Sequence, residues 1–301
     1  MSIMDEIEEL KKKTDSVILA HYYVDGLVQE VADYVGDSYF LAKKAKEITQ
    51  KNIIFCGVSF MGESAKLLNP TKHVYMADAS ADCQMAHMVD LDKIDEVRKE
   101  YPEVTVVCYV NSTAEIKAKS DVCVTSSNAL KICERIPGKD IFFIPDQNLA
   151  RFIADKLPQK HFIFNDGFCH VHHGIRREDI NKAKEIYPDA LVLTHPECRQ
   201  EICEISDFVG STSEIIEYAT KSNQKEFIVC TEIGVFYELK KRNPDKLFHQ
   251  VKVSQICPNM KKVTLEKVKN VMLEQKQEVI LSDELMKLAN FPLEKMIEIA
   301  K

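Results

Sequence analysis

The chain has 301 residues, 45% of them hydrophobic and 29% charged, with a net charge of −7. That is enough apolar material for a large core and suggests two or three domains, while an acidic balance without a Lys/Arg run argues against a nucleic-acid partner. The start MSIMDEIEEL is acidic and helix-like rather than basic then apolar, and no apolar stretch approaches the roughly 18 residues of a membrane span, so a cytoplasmic protein acting on small molecules is expected.

Residues 1–87 predict an amphipathic helix in MDEIEELKKK and an apolar strand in VILAHYY, followed by a short strand and a helix. A second apolar strand in NIIFCGV, a helix closing near Pro70 and a last strand leading to Cys83 complete the unit. Residues 88–174 repeat the order, with helix DKIDEVRKEY, strands VTVVCYVN and DIFFIPD, Pro158 and Cys169. Residues 175–301 repeat it again, with REDINKAKEI, ALVLTHPE, EFIVCTE, Pro244 and Cys257. The tail from Met260 to Ala300 has apolar residues at helical spacing; it is counted with the third unit and expected to pack back on the repeats.

The repetition is countable. Asp33, Asp121 and Asp207 stand 88 and then 86 residues apart in ADYVGDS, SDVCVTSS and SDFVGST, and the same offsets link Pro70, Pro158 and Pro244. Self-similarity of this kind means one supersecondary unit copied and packed around a shared centre. Apolar strands alternating with helices imply parallel sheets covered on both faces. The expected fold is α/β: three α/β/α domains related by a pseudo-threefold, each with a small parallel sheet.

In such units ligands gather at the carboxyl ends of strands, and the polar residues fall there in threes. His21, Tyr109 and His195 share the offsets; so do Tyr23, Asn111 and Glu197, and so do Ser38, Ser126 and Thr212 at the next turn. Hydroxyls before helices ordinarily serve as caps, and helix starts attract anions. Different polar residues at corresponding places suggest one site with three walls, able to bind carboxylate or phosphate and move protons.

Of ten cysteines, Cys56, Cys108, Cys133 and Cys230 sit in apolar runs and read as small buried hydrophobes. Cys83, Cys169 and Cys257 end the three copies in polar phrases, ASADCQM, NDGFCHVH and SQICPNM. Three thiolates suit an iron–sulfur cluster with one iron not ligated by protein; with His172 they would instead suit a zinc ion. An open metal position is a Lewis acid suited to dehydration or enolisation.

The phrases LAHYY, VGDS, YVNSTAE, VTSSNA, GFCHVH, THPEC, VGST, TEIG and CPNMKKVTL, in that order over essentially the whole chain, resemble the quinolinate synthase family of de novo NAD biosynthesis. The resemblance implies condensation of iminoaspartate with dihydroxyacetone phosphate, with loss of phosphate and two waters. It implies a 4Fe-4S cluster on Cys83, Cys169 and Cys257, and a possible functional link to an aspartate oxidase or dehydrogenase that supplies iminoaspartate. By position, His21, Ser38, Tyr109, Asn111, Ser126, His195, Glu197 and Thr212 would hold substrate. Tyr23, His172, Glu197, His21 and His195 would serve in catalysis or support it. The chain departs from the family pattern at Tyr22, where Asn is common, and at SFMGE. Hydroxymethylbutenyl diphosphate reductase and the diphthamide-forming radical enzymes resemble the same triplicated three-cysteine plan, and a non-catalytic zinc or other metal-binding protein is the alternative of a different class.

Overall fold

A computed structural model describes residues 2–301. The first unit runs α1 (Ile3–Lys13), β1 (Ser16–His21), α2 (Gly26–Val31), β2 (Tyr34–Gly36), α3 (Ser38–Glu47), β3 (Asn52–Cys56), α4 (Ser59–Leu68) and β4 (His73–Met76), then a 3-10 turn at Gln84–His87. The second runs α5 (Leu91–Glu100), β5 (Thr105–Tyr109), α6 (Ala114–Ala118), β6 (Val122–Val124), α7 (Ala129–Arg135), β7 (Asp140–Ile144), α8 (Gln147–Lys156), β8 (His161–Phe164) and a one-turn α9 (His170–His173). The third runs α10 (Arg177–Ile186), β9 (Leu191–Thr194), α11 (Gln200–Cys203), β10 (Phe208–Val209), α12 (Thr212–Lys221), β11 (Glu226–Cys230), α13 (Val235–Arg242) and β12 (Leu247–Gln250), then a 3-10 turn at Met260–Lys262.

Each unit forms one four-stranded parallel sheet, in the orders β2-β1-β3-β4, β6-β5-β7-β8 and β10-β9-β11-β12. Every residue of β1 and β3 is buried, as expected where helices cover both faces. The chain leaves the first strand to one side and the following strands to the other, opening a crevice at the strands' carboxyl ends.

The repeated aspartates make the same structural joint three times. Asp33, Asp121 and Asp207 accept the backbone N–H of Ile18, Val106 and Val192 at 2.8, 2.7 and 2.8 Å. Their own N–H groups donate to the carbonyls of the same three residues, each at 3.0 Å. A buried edge amide is thereby satisfied where the short strand has not yet begun to pair.

The tail is broken rather than continuous. Helices α14 (Leu265–Glu274) and α15 (Asp283–Ile299) flank a segment in which Gln275 and Gln277 adopt positive φ of 51° and 65°. That segment lies along β4: Met76 N–H donates to Gln277 O at 3.0 Å and Val279 N–H to Val74 O at 2.8 Å. Helix α14 packs on α1, α2 and β3, and α15 on α4, α6, α7 and β6. The tail follows the third sheet in the chain, yet it straps the first unit to the second. One continuous apolar core accordingly runs through units one and two and the tail, while the third unit carries two smaller clusters.

Candidate active site

One cleft, enclosing about 800 Å³ of empty space and partly open to solvent, lies where the three units meet. All thirteen side chains singled out from the sequence line it, from His21 and Tyr23 of the first unit to Thr212 and Cys257 of the third. The strand ends explain the convergence: His21 and Tyr109 close β1 and β5, and His195 follows β9 directly.

Two histidines are wired alike. The N–H of Tyr23 donates to Nδ1 of His21 at 3.2 Å, and the N–H of Glu197 donates to Nδ1 of His195 at 3.3 Å. An Nδ1 that accepts leaves the proton of a neutral ring on Nε2. Burial pushes both imidazoles down to about 3, so at neutral pH each offers the cleft an uncharged N–H donor.

Tyr23, Glu197 and their partners form one continuous hydrogen-bonded chain through all three units. The Tyr109 hydroxyl donates to Glu197 Oε1 at 2.6 Å, and His172 Nδ1 lies 2.7 Å from Glu197 Oε2. His172 Nε2 is 2.8 Å from Thr231 Oγ1, which is 2.8 Å from the Tyr23 hydroxyl; that hydroxyl also meets Thr212 Oγ1 at 2.8 Å. A carboxylate only accepts, so with one proton on the His172 ring a single polarity satisfies every contact: Thr212 to Tyr23 to Thr231 to His172 to Glu197. A second proton on the ring reverses the Thr231 end.

Burial alone would raise the Glu197 pKa, but the imidazoles of His172 and His195 and the bonds from His172 and Tyr109 hold this carboxyl below the usual range. Burial, together with that nearby negative charge, pushes the Tyr23 and Tyr109 phenols well up. One base that stays ionised thus sits among acids that keep their protons.

Cys83, Cys169 and Cys257 each begin or precede a single helical turn on the cleft wall, and each is partly exposed. Burial pushes Cys83 up to about 12, Cys169 well above the ordinary thiol value and Cys257 upward. Three such thiols would not ionise unaided; a bound cation charge is what could hold them as thiolates. Soft sulfur donors from three walls, with no Lys or Arg lining the cleft among the described residues, fit an iron–sulfur cluster. Among the described residues, Cys169, His172 and Glu197 also bring ligand atoms within 4.8 Å of one another, a geometry a single metal ion could use. Cys56, Cys108, Cys133 and Cys230 are fully buried, as their apolar surroundings predicted.

The hydroxyls read as possible caps are not caps. Asp37 and Ser211 cap α3 and α12, accepting from Phe40 N–H at 2.9 Å and Glu214 N–H at 3.4 Å. Ser38 and Thr212 come one residue later, and Ser126 lies two residues before Asn128 at the start of α7. Neighbours take the capping role at α3 and α12, and α7 has no side-chain cap; the Ser38 and Ser126 hydroxyls are left to the cleft, while Thr212 meets the Tyr23 hydroxyl. Asn111 Oδ1 is buried there without a protein partner, a polar group that a ligand donor would satisfy.

The sequence reading overlooked Thr231 and Glu232 after β11, and Asp146, which caps α8 by accepting from the N–H groups of Asn148 and Leu149. Positions 146 and 232 share the repeat offset and each lies two residues past the end of the second long strand. Applying the strand-end rule to that strand as well as the first would have found them.

A family model described as quinolinate synthetase A protein matches residues 5–298. The chain is 50% identical to a quinolinate synthase of Fusobacterium nucleatum over 296 residues, covering 98% of this chain and 99% of that one. It is 48% identical to quinolinate synthases of Caldicellulosiruptor saccharolyticus and Clostridioides difficile, over 298 and 296 residues, with at least 97% of each chain covered.

Proposed function

The chain belongs to the quinolinate synthetase A family, and we propose that its central cleft condenses iminoaspartate with dihydroxyacetone phosphate on a 4Fe-4S cluster held by Cys83, Cys169 and Cys257. The observation that carries this reading is that three partly exposed cysteines, one per repeat, share a cleft with the Tyr23–Thr231–His172–Glu197 chain. Quinolinate formation joins the two substrates through one new carbon–carbon and one carbon–nitrogen bond, with loss of phosphate and two waters. Carbon, nitrogen and phosphorus then balance without a net change of oxidation state. The enzyme therefore has to move protons and help poor leaving groups depart.

The cluster, when bound, supplies a Lewis-acidic iron not ligated by protein. The residues of the chain do the rest. His21 and His195 present Nε2–H donors, and Ser38, Ser126 and Thr212 present hydroxyls, to the two carboxylates and the phosphate; hydrogen bonds to ionised acceptors are the strong ones. Asn111 orients the substrate through its unpartnered amide oxygen. With the second proton on the His172 ring the chain runs from His172 through Thr231 to the Tyr23 hydroxyl, which delivers a proton to a departing oxygen, while Glu197 accepts one from the substrate. Walls from three units bury most of these groups, which strengthens each of their contacts.

The partners are small molecules, with iminoaspartate supplied by an aspartate oxidase or dehydrogenase. No helix among the described residues is long and apolar enough to cross a membrane. Protein purified without oxygen should contain iron and acid-labile sulfide in near-equal amounts and form quinolinate from the two substrates. Zinc in place of iron, or a full cluster without product, would overturn the reading.

A further inference from the structure

After β11 the chain turns through Thr231–Gly234, and Glu232 points inward with 1% of its surface exposed. Its Oε1 accepts the backbone N–H of Cys257 at 3.0 Å and its Oε2 accepts that of Gly234 at 2.5 Å. Lys261 Nζ lies 3.0 and 3.3 Å from the two oxygens and also donates to the carbonyl of Tyr23 at 2.6 Å. One ion pair therefore touches the Cys257 loop in the third unit and the Tyr23 loop in the first.

The seam between these loops has no slack. A Cβ on Gly234 would come within 2.6 Å of the Tyr23 backbone, and Gln29 Nε2 donates to Gly234 O, Tyr22 O and Val24 O from the other side. The Cys257 loop does not need Glu232 in order to fold. Gln255 already ties it to β11, donating to Val229 O and Thr231 O and accepting from Val251 and Lys252 N–H. A buried ion pair is a poor source of net stability, and a neutral carbonyl would satisfy the Cys257 amide equally well. Cys83 offers a contrast: its N–H also meets a carboxylate, Asp82 Oδ1 at 2.8 Å, but Asp82 is its own neighbour, is 47% exposed and reaches no other unit.

We infer that Glu232 and Lys261 are positioning residues which fix the Cys257 ligand and the Tyr23 proton donor in a common frame, and whose paired charges set the electrostatic environment of the group held by Cys257. This rests on the cluster reading given above. Glu232→Gln, Lys261→Met, Lys261→Arg and the double variant Glu232→Gln/Lys261→Met, each isolated anaerobically, test it through iron content, cluster midpoint potential and steady-state kinetics. Glu232→Gln leaves an unpaired cation and should raise the potential; Lys261→Met leaves an unpaired anion and should lower it; the double variant should return close to wild type. Turnover should fall by roughly 10- to 100-fold in both single variants and in the double, as misplacement of reacting groups does, with KM little changed and Lys261→Arg close to wild type. Potentials unmoved, or moved in the same direction by both single variants, together with normal turnover would reduce the pair to scaffolding and overturn the inference. If the single variants fail to fold, the double variant decides it: wild-type turnover there overturns the inference. Wild-type protein without a cluster would instead sink the reading beneath it.

Discussion

His172 Nδ1 stands 2.7 Å from Glu197 Oε2, with the two side chains only 2% and 4% exposed. His172 comes from the turn that follows Cys169, and the same nitrogen lies 3.2 Å from that cysteine's sulfur. A base of the third unit is thus anchored beside a metal-ligand candidate of the second. Glu197→Gln retains the shape but not the charge, and Tyr23→Phe retains the ring but not the hydroxyl. Each should keep its iron and slow quinolinate formation by roughly 10² to 10⁴, as loss of a general acid or base does. Product assays beside iron analysis check this; normal rates in both would mean that other groups move the protons.

Thr231 joins the two halves of the hydrogen-bonded chain, at 2.8 Å from both the Tyr23 hydroxyl and His172 Nε2. Thr231→Val removes that link at nearly constant volume, leaving Tyr23 its bond to Thr212. A buried hydrogen bond lost in this way costs about 1–3 kcal/mol, so turnover should drop by about ten- to a hundredfold, with substrate KM little changed.

Cys83, Cys169 and Cys257 are expected to be interchangeable in one respect: replacing any of them by Ser should remove iron and activity together. Cys56, Cys133 and Cys230 are fully buried elsewhere, and replacing each by Ala should cost about 1 kcal/mol of stability while iron per chain stays unchanged. Iron and sulfide analysis separates the two groups.

Asp121 accepts from Val106 N–H at 2.7 Å and meets Arg98 Nη2 at 3.0 Å, and it does not line the cleft. Asp121→Ala leaves a buried amide unsatisfied, which should lower unfolding free energy by about 1–3 kcal/mol. Urea unfolding should report the loss, and kcat measured well below the melting temperature should remain that of wild type.

Folded-state pKa values of about 3 for His21 and His195 lie below the ordinary 6.5. The unfolded chain therefore binds more protons than the native one between those values, and stability falls as pH drops from 6.5 toward 3. Each histidine adds up to about 1.4 kcal/mol per pH unit to that slope. A His21→Gln/His195→Gln double variant should show a shallower loss of unfolding free energy on mild acidification than wild type; an identical slope would mean that these rings are protonated in the native state.

By itself the sequence determined the architecture and which strand-end side chains of the three copies meet at one cleft. Offsets of 88 and 86 residues carried Asp33 to Asp121 and Asp207, and these prove to make one identical joint in each sheet. They also placed His21, Tyr109 and His195 at equivalent strand ends. Parallel strands all finish on the same side, so residues in repeat register must meet when the copies face one centre. Contacts that cross between copies follow no period, and only the tertiary structure decided them. Neighbours Asp37 and Ser211 relieve Ser38 and Thr212 of capping; Thr231 bridges Tyr23 to His172; Lys261 reaches back to Tyr23. The strap of α14 and α15 across the first two units is of the same kind: its apolar spacing announced helices, but which surface they cover depends on the shape of units far away in the chain.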